Sequence, residues 1–95
     1  MVKEISADEA KELLLDKTII FIDVRSQEEW QQHHLPEALL ISNEEDFQEK
    51  IVLLDKKKQY VLFCRSGRRS HYVAELMEEL GFENAVNVKV NIFTE

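Results

Sequence analysis

The chain has 95 residues, of which 44% are hydrophobic and 33% are charged, a balance typical of one small globular domain rather than of a disordered segment. Its formal net charge of −7 argues against a nucleic-acid partner, and its apolar runs are far shorter than the ~18–20 residues that cross a membrane. A single cysteine excludes an internal disulfide, and the amino terminus lacks a signal-peptide pattern. We therefore expect a single cytoplasmic domain over residues 1–95, acting as a monomer.

Helix and strand signals alternate along the first half of the chain. Ser6 begins a capping box, and apolar residues then recur on one helical face, so a helix is predicted over about residues 7–15. The β-branched run Thr18–Val24 lacks polar alternation, which is typical of a strand buried on both faces. A second capping box at Ser26 begins a short helix that continues to about Gln32.

The second half of the chain continues this alternation. Ser42–Glu45 is a third capping box, and Gly81 is placed to close the longest helix at its C′ position. The predicted elements are a strand over 38–41, a helix ending near 54, a strand over 59–64, a helix over 68–80 and a strand over 85–88. Because strands alternate with helices, we expect an α/β domain with a parallel sheet covered by helices on both faces.

The only cysteine lies at the turn between a buried strand and the longest helix. The turn, Cys64–Ser70, contains three arginines, and a helix N-terminus adds partial positive charge and unpaired N–H groups. Both stabilise a thiolate, so the pKa of Cys64 is predicted to lie below that of an ordinary thiol. Successive N–H groups in such a turn form an anion-binding nest, for which Gly67 supplies the conformational freedom. His71 follows on the helix, where we expect it at the surface, with tuning of the nearby thiolate as the alternative.

A second group of polar residues follows an earlier strand. Asp23 and Arg25 stand at the carboxyl end of the predicted strand Thr18–Val24. In parallel sheets, ligands bind at the carboxyl ends of the strands. We therefore expect Asp23 and Arg25 on the same edge of the sheet as Cys64.

The segment Cys64–Ser70 resembles the active-site loop of rhodanese-type sulfurtransferases. Other segments agree with that family in order and spacing, and together the resemblance extends over about residues 4–90. These segments are Phe21–Arg25, Glu28–Trp30, His34–Pro36 with Ala38, Glu75–Phe82 and Asn87–Val88.

The resemblance implies a rhodanese-like domain with about five parallel strands and with no metal or organic cofactor. Cys64 would alternate between thiol and persulfide, taking sulfane sulfur from a small donor anion such as thiosulfate. The acceptor would be cyanide or a thiol, including a protein thiol. The substrate-binding residues would be Arg65, Ser66, Gly67, Arg68 and Arg69. The residues that support the loop would be Asp23, Arg25, Glu29 and Ser70, with Arg25 paired to Glu29.

Two regions depart from the family pattern. His33 and Glu37 stand where glycines are usual, and Lys89–Phe93 replaces a Glu-Gly-Gly turn and a following helix, so the chain after about residue 89 is atypical. These changes affect the rim of the pocket more than the loop. The apolar residues Ile92 and Phe93, with Val90, are expected either to pack on the sheet or to form an extended tail.

Other functions compete with sulfur transfer. Cysteine phosphatases and arsenate reductases need an arginine after five intervening residues, where this chain has Ser70, and Arg69 comes one residue too early. The shorter loop favours a single sulfur over phosphate. A non-catalytic rhodanese-like module is disfavoured by Cys64, while an engineered domain that keeps the loop without tuned activity stays open. The adjacent His33 and His34 cannot easily share an ion, so no metal site is expected.

Overall fold

Five strands alternate with four helices in the computed structural model of the chain, which describes residues 1–42 and 47–93. The strands are β1 (Lys3–Ile5), β2 (Ile19–Asp23), β3 (Leu39–Leu40), β4 (Gln59–Phe63) and β5 (Asn84–Val88). The helices are α1 (Ala7–Leu13), α2 (Gln27–Gln32), α3 (Phe47–Ile51) and α4 (Arg68–Glu79). None of these four helices has both the length and the apolar character needed to cross a membrane.

All the strands run parallel in one sheet, in the order β1-β5-β4-β2-β3. The predicted α/β class with a five-stranded parallel sheet is thus confirmed. β2 and β4 are paired from Ile19 opposite Gln59 to Asp23 opposite Phe63. Because the two strands end in register, Cys64 and the Asp23–Arg25 segment lie side by side at the carboxyl edge of the sheet, as the sequence predicts.

Side chains of the central strands alternate between two apolar clusters, one on each face of the sheet. On one face, β2 and β4 pack against α3 and α4 through the buried residues Ile22, Tyr60, Leu62, Ile51, Val73 and Met77. On the other face, the same strands pack against α1 and α2 through Phe21, Val61, Phe63, Ala10, Leu13 and Trp30. Cys64 continues the alternation of β4 and therefore faces α4, whose first turn completes the loop.

The helix boundaries follow the predicted caps. Ser6 and Glu9 exchange hydrogen bonds at the start of α1, and Ser26 and Glu29 do the same at the start of α2. Gly81 follows the C-cap of α4 at φ +97°, which confirms its predicted role. The third predicted capping box falls largely on residues 43–46, outside the described residues.

β1 is the strand that the sequence analysis missed. It has three residues, of which only Ile5 is buried, so its pattern carries too little apolar signal to be recognised. It pairs with β5 from Lys3 opposite Val86 to Ile5 opposite Val88. This register places Glu4 directly opposite Asn87.

The segment after β5 folds back onto the sheet. Ile92 is buried, and the Phe93 ring lies 5.9 Å from the Phe63 ring and 4.6 Å from the His33 ring, centroid to centroid. Val90 stays exposed. Of the two expectations for this segment, packing on the sheet is therefore correct for Ile92 and Phe93, and it brings Phe93 to the edge that carries Cys64.

Candidate active site

Cys64 directly follows β4, and its side chain is fully buried. Its Sγ accepts a hydrogen bond from the amide of Gly67 at 3.1 Å. It also accepts from the hydroxyl of Ser70 at 3.3 Å and from the amide of Ser70 at 3.5 Å. The loop thus wraps the sulfur with donors that converge on one atom, which is the nest that the sequence predicts.

Two opposing effects act on the acidity of the thiol. Burial raises the pKa of Cys64, while hydrogen bonds from the Ser70 hydroxyl and from the amides of Ser70, Ser66 and Gly67 lower it. The hydrogen bonds outweigh burial, so the pKa of Cys64 lies below its ordinary value. The predicted direction is confirmed, and the loop favours the thiolate form of the residue relative to an ordinary cysteine.

Gly67 fits its position for two reasons. Its φ is +88°, in the left-handed region that glycine enters at little cost, and this confirms the predicted need for conformational freedom. In addition, a Cβ at this position would lie 2.7 Å from the carbonyl oxygen of Lys89. The loop therefore rests directly on the backbone that follows β5, a contact that the sequence analysis did not foresee.

At the neighbouring strand end, Asp23 and Arg25 form a buried ion pair. The Arg25 Nε donates to the two Asp23 carboxylate oxygens at 3.0 and 3.1 Å, and Nη2 donates to Oδ2 at 2.8 Å. Nη2 also donates to the carbonyl of His33 at 2.7 Å, and the guanidinium lies 4.4 Å from the centroid of the Phe93 ring. The predicted pairing of Arg25 with Glu29 is therefore wrong, since Asp23 is two residues away on the same strand end and already holds the guanidinium.

Glu29 pairs instead with Arg69 of α4. The Arg69 Nη1 donates to Oε1 at 2.9 Å and Nη2 donates to Oε2 at 3.3 Å, a two-pronged arrangement that joins α2 to the first turn of α4. The Arg69 hydrogen bond lowers the pKa of Glu29 to about 2, against a smaller opposing effect of burial. Arg69 was predicted as a substrate ligand, yet the structure shows its half-buried guanidinium engaged by Glu29, with the Cys64 thiol as a further neighbour that raises its pKa.

A cleft of about 120 Å³ opens beside the loop at the same edge of the sheet. Its lining residues are Arg25, Glu29, Gln32, His33, Arg65, Asn91 and Phe93. Cys64 does not line this cleft, since its side chain is fully buried, whereas Arg65 and Ser66, which follow it in the sequence, are exposed. The segments of His33 and Phe93 are the rim that the sequence predicts to be altered, whereas the places of Asn91 and Phe93 at the site are seen only in the structure. The apolar character of Phe93 is the sequence feature from which its place at the site could have been predicted.

The remaining predicted substrate ligands lie on the other side of the loop. Ser66, Gly67 and Arg68 line a shallow depression together with His71 and Lys89. Arg65 and Arg68, which flank Gly67 in the sequence, are both exposed and have no ion-pair partner among the described residues. Within residues 1–42 and 47–93, no three His, Cys, Asp or Glu side chains lie close enough together to hold a metal ion.

Comparison with known proteins agrees with this geometry. Residues 6–90 match the family described as Rhodanese-like domain. The Bacillus subtilis protein YtwF, provisionally named a sulfurtransferase, is 43% identical over 89 residues, which are 93% of this chain and 84% of that protein. The thiosulfate sulfurtransferase GlpE of Coxiella burnetii is 34% identical over 88 residues, 93% of this chain and 81% of that protein. A crystal structure of a rhodanese-like domain protein from Staphylococcus aureus has a TM-score of 0.85 and 34% identity, covering 96% of this chain and 88% of the other.

Proposed function

Since the chain belongs to the rhodanese-like family of sulfurtransferases, we propose that it transfers sulfane sulfur from a small donor anion to a thiol or cyanide through a persulfide on Cys64. The observation that carries the proposal is the convergence of donors from Gly67 and Ser70 on the Sγ of Cys64. Thiosulfate is the proposed donor because a relative covering most of this chain is named for it.

The reaction divides into two displacements at sulfur. In the first, the Cys64 thiolate attacks the outer sulfur of thiosulfate. A bond forms between Sγ and that sulfur, the original sulfur–sulfur bond breaks, and sulfite leaves with the bonding electron pair. In the second, cyanide or a thiolate attacks the terminal sulfur of the persulfide, and Cys64 leaves as the thiolate with which the cycle began. Atoms and charge balance in each step without an external oxidant.

The charge distribution at the loop suits an anionic donor. Arg69 is neutralised by Glu29 and Arg25 by Asp23, so these pairs add little net charge. Arg65 is exposed at the cleft and carries no such partner among the described residues, so it is placed to attract the sulfonate end of thiosulfate. The doubly negative donor is thereby drawn to the side of the loop that covers the buried thiol.

The buried thiol sets a requirement for access. The Cys64 side chain is fully buried, whereas Arg65 and Ser66 immediately after it are exposed. We expect the backbone of these two residues to shift when the donor enters, because the reacting sulfur atoms must come within contact distance. The Gly67 and Ser70 donors lie beyond this segment and can keep the thiolate in place during the shift.

Phosphate chemistry receives no comparable support. The arginine that a phosphate-enclosing loop would use is replaced by Ser70, whose hydroxyl donates to Sγ. The next candidate, Arg69, is held by two hydrogen bonds from its guanidinium to Glu29. The loop therefore has donors that converge on one sulfur atom, while the two positions where a phosphate-enclosing loop could place its arginine hold Ser70 and the Glu29-bound Arg69.

Intact-protein mass after incubation with thiosulfate tests the proposal. We expect the reduced protein to gain one sulfur atom, cyanide to remove it, and Cys64→Ser to gain none while keeping the fold, since the two side chains differ by one atom. If thiosulfate fails, a low-molecular-weight persulfide should load the same residue. No sulfur uptake from either donor by a folded protein with a free thiol would overturn the proposal, as would uptake by Cys64→Ser.

A further inference from the structure

A second set of hydrogen bonds ties the Cys64 loop to β5 and β1, on the face of the sheet that carries α4. Asn87 is fully buried on β5, and its Nδ2 donates to the carbonyl of Gly67 at 3.0 Å. The same nitrogen donates to the Glu4 Oε2 at 3.1 Å, and that oxygen also contacts the Nδ1 of His71. The three side chains of Asn87, Glu4 and His71, here called the Asn87 network, thus meet the loop at Gly67.

The sheet places this network on the side of the loop that faces away from the cleft. Glu4 and Asn87 are opposite one another in the parallel pair β1 and β5, so their side chains project from the same face. Val86 and Val88 belong to the apolar cluster of the opposite face, and Asn87 therefore faces α4, from which His71 completes the set. The polar network replaces apolar packing at this one position of β5.

One atom of Asn87 shows that the position is not optimised for stability. The Oδ1 is buried and has no hydrogen-bond partner among the described residues, a costly state for a carbonyl oxygen. Turning the amide over would not help, because Oδ1 would then face the Gly67 carbonyl and the Glu4 carboxylate, both of which accept. The arrangement therefore requires an N–H donor directed at Gly67 and tolerates an unpaired oxygen to provide it.

We propose that Asn87 is a positioning residue for the Cys64 nucleophile, because it holds the Gly67 carbonyl and so keeps the Gly67 amide directed at Sγ. Gly67 has the wide backbone freedom of glycine, and its contact with the Lys89 carbonyl blocks movement in one direction only. The Gly67 carbonyl is held on the other side by two donors, the His71 amide of α4 at 3.1 Å and the Asn87 Nδ2 at 3.0 Å, and Asn87 is the one that fixes it to the sheet. The inference rests on the proposed role of Cys64 in sulfur transfer.

The expected effect is partial. The two donors of Ser70 belong to the first turn of α4 and stay near the sulfur when Asn87 is changed. Only the Gly67 amide should lose its alignment, so the thiolate fraction at a pH below the thiol pKa should fall by about threefold to tenfold, the change that half a pKa unit to one unit produces.

The test compares Asn87→Leu with Asn84→Leu. Leucine removes the donor and the unpaired oxygen at position 87 while keeping a similar volume, and Asn84 is an exposed residue at the opposite end of the same strand. The thiolate is followed by its ultraviolet absorbance during a pH titration, with Cys64→Ser in each background as the blank. We expect a raised thiol pKa in Asn87→Leu and the wild-type value in Asn84→Leu. An unchanged value in Asn87→Leu, or equal shifts in both variants, would overturn the inference.

The pH profile of sulfur uptake separates positioning from a general loss of structure. Asn87→Leu should take up sulfur more slowly than wild type at neutral pH and recover most of the difference at a pH above its thiol pKa. A deficit of the same size at every pH would mean that the substitution acts on the fold. The charged side chains around the loop are the same in both leucine variants; they are Asp23, Arg25, Glu29, Arg65, Arg68, Arg69, Lys89, Glu4, His71 and Glu75.

A second pair of variants keeps the inference testable if Asn87→Leu does not fold. Glu4→Gln and Glu4→Leu both remove the charge of a partly exposed residue, but only glutamine retains an oxygen that accepts from the Asn87 Nδ2. We expect the thiol pKa to be higher in Glu4→Leu than in Glu4→Gln, and equal values would contradict the inference. The titrations need no sulfur donor, so their outcome does not depend on whether the wild type takes up sulfur.

Discussion

The hydroxyl of Ser70 should be the strongest single determinant of the Cys64 thiolate. Its bond to Sγ is 3.3 Å long and fully buried, and it comes first among the hydrogen bonds that lower the pKa of Cys64. Ser70→Ala removes this donor and leaves the amides of Gly67 and Ser70 in place. Alanine also suits the first turn of α4, so the helix should be retained.

The size of the effect follows from the charge on the sulfur. A hydrogen bond to a charged group contributes about 1.5–3 kcal/mol, roughly twice a neutral one. At 1.36 kcal/mol for each tenfold change, losing the lower figure reduces the thiolate fraction by roughly tenfold at any pH below the wild-type thiol pKa. The initial rate of sulfur uptake should fall by a similar factor at saturating thiosulfate, provided that thiolate attack limits the rate.

The sign of the stability change provides an independent check. The pKa of Cys64 is lowered in the folded state, so its contribution to stability is present above the unfolded thiol pKa and is lost as the pH falls through the folded value. Ser70→Ala should therefore match the wild type in unfolding free energy at acidic pH and be less stable at alkaline pH. Chemical denaturation at several pH values measures this difference.

Thiolate absorbance and sulfur uptake are the assays, and Ser66→Ala is the matched control. Ser66 is an exposed loop residue whose backbone amide, not its hydroxyl, acts on the thiol. We expect Ser66→Ala to titrate like the wild type. A Ser70→Ala protein with an unchanged thiol pKa would refute the argument that the loop donors hold the thiolate, and the low pKa would then have to come from the surrounding arginines.

Three further changes follow from the same contacts. Gly67→Ala should lower the unfolding free energy by about 2 kcal/mol or more, measured by urea denaturation, because a left-handed φ is combined with a Cβ 2.7 Å from the Lys89 carbonyl oxygen. Because the pKa of Glu29 is lowered to about 2 in the folded protein, the ionised Glu29 carboxylate should stabilise the wild type at pH values above the unfolded pKa of Glu29, near 4.5. This contribution to the unfolding free energy, on the order of 2 kcal/mol after allowance for partial exposure, should be lost as the pH falls toward 2 and should be absent in Glu29→Gln. Arg65→Gln should raise the KM for thiosulfate several-fold and have a smaller effect on the KM for a neutral persulfide donor. Arg68→Gln, on the far side of the loop, should change both KM values less. Equal losses for the two donors would mean that the arginines act on loop structure.

The sequence predicted best those features that depend on neighbouring residues. The caps at Ser6 and Ser26 and the turn at Gly67 each follow from a few adjacent positions, and the structure confirms all three. The position of Cys64 was predictable for the same reason. A buried strand that runs directly into a helix leaves only one edge of a parallel sheet for the turn between them.

The pairing of the charged residues could not be predicted in this way. Glu29 lies four residues after Arg25, a reasonable spacing for an ion pair, and Asp23 lies two residues before it. Asp23 holds Arg25, and Glu29 is taken by Arg69, which is 40 positions away in sequence and reaches Glu29 from the first turn of α4. The missed strand β1 has a similar explanation, since its partner β5 is at the other end of the chain.

These pairings change how the arginine-rich loop should be understood. Composition alone suggests that its three arginines all serve to bind an anion, because they stand together in an acidic chain. In the structure, Arg69 is bound to Glu29 and braces the loop against α2, whereas Arg65 remains exposed at the cleft. The Cys64 sulfur is meanwhile held by neutral hydrogen-bond donors of Gly67 and Ser70, with the Glu29-bound Arg69 as a charged neighbour. In the proposed reaction, thiol activation would rest on Gly67 and Ser70 and capture of the donor anion on Arg65, so a substitution at Arg65 should weaken capture and leave the thiol pKa intact.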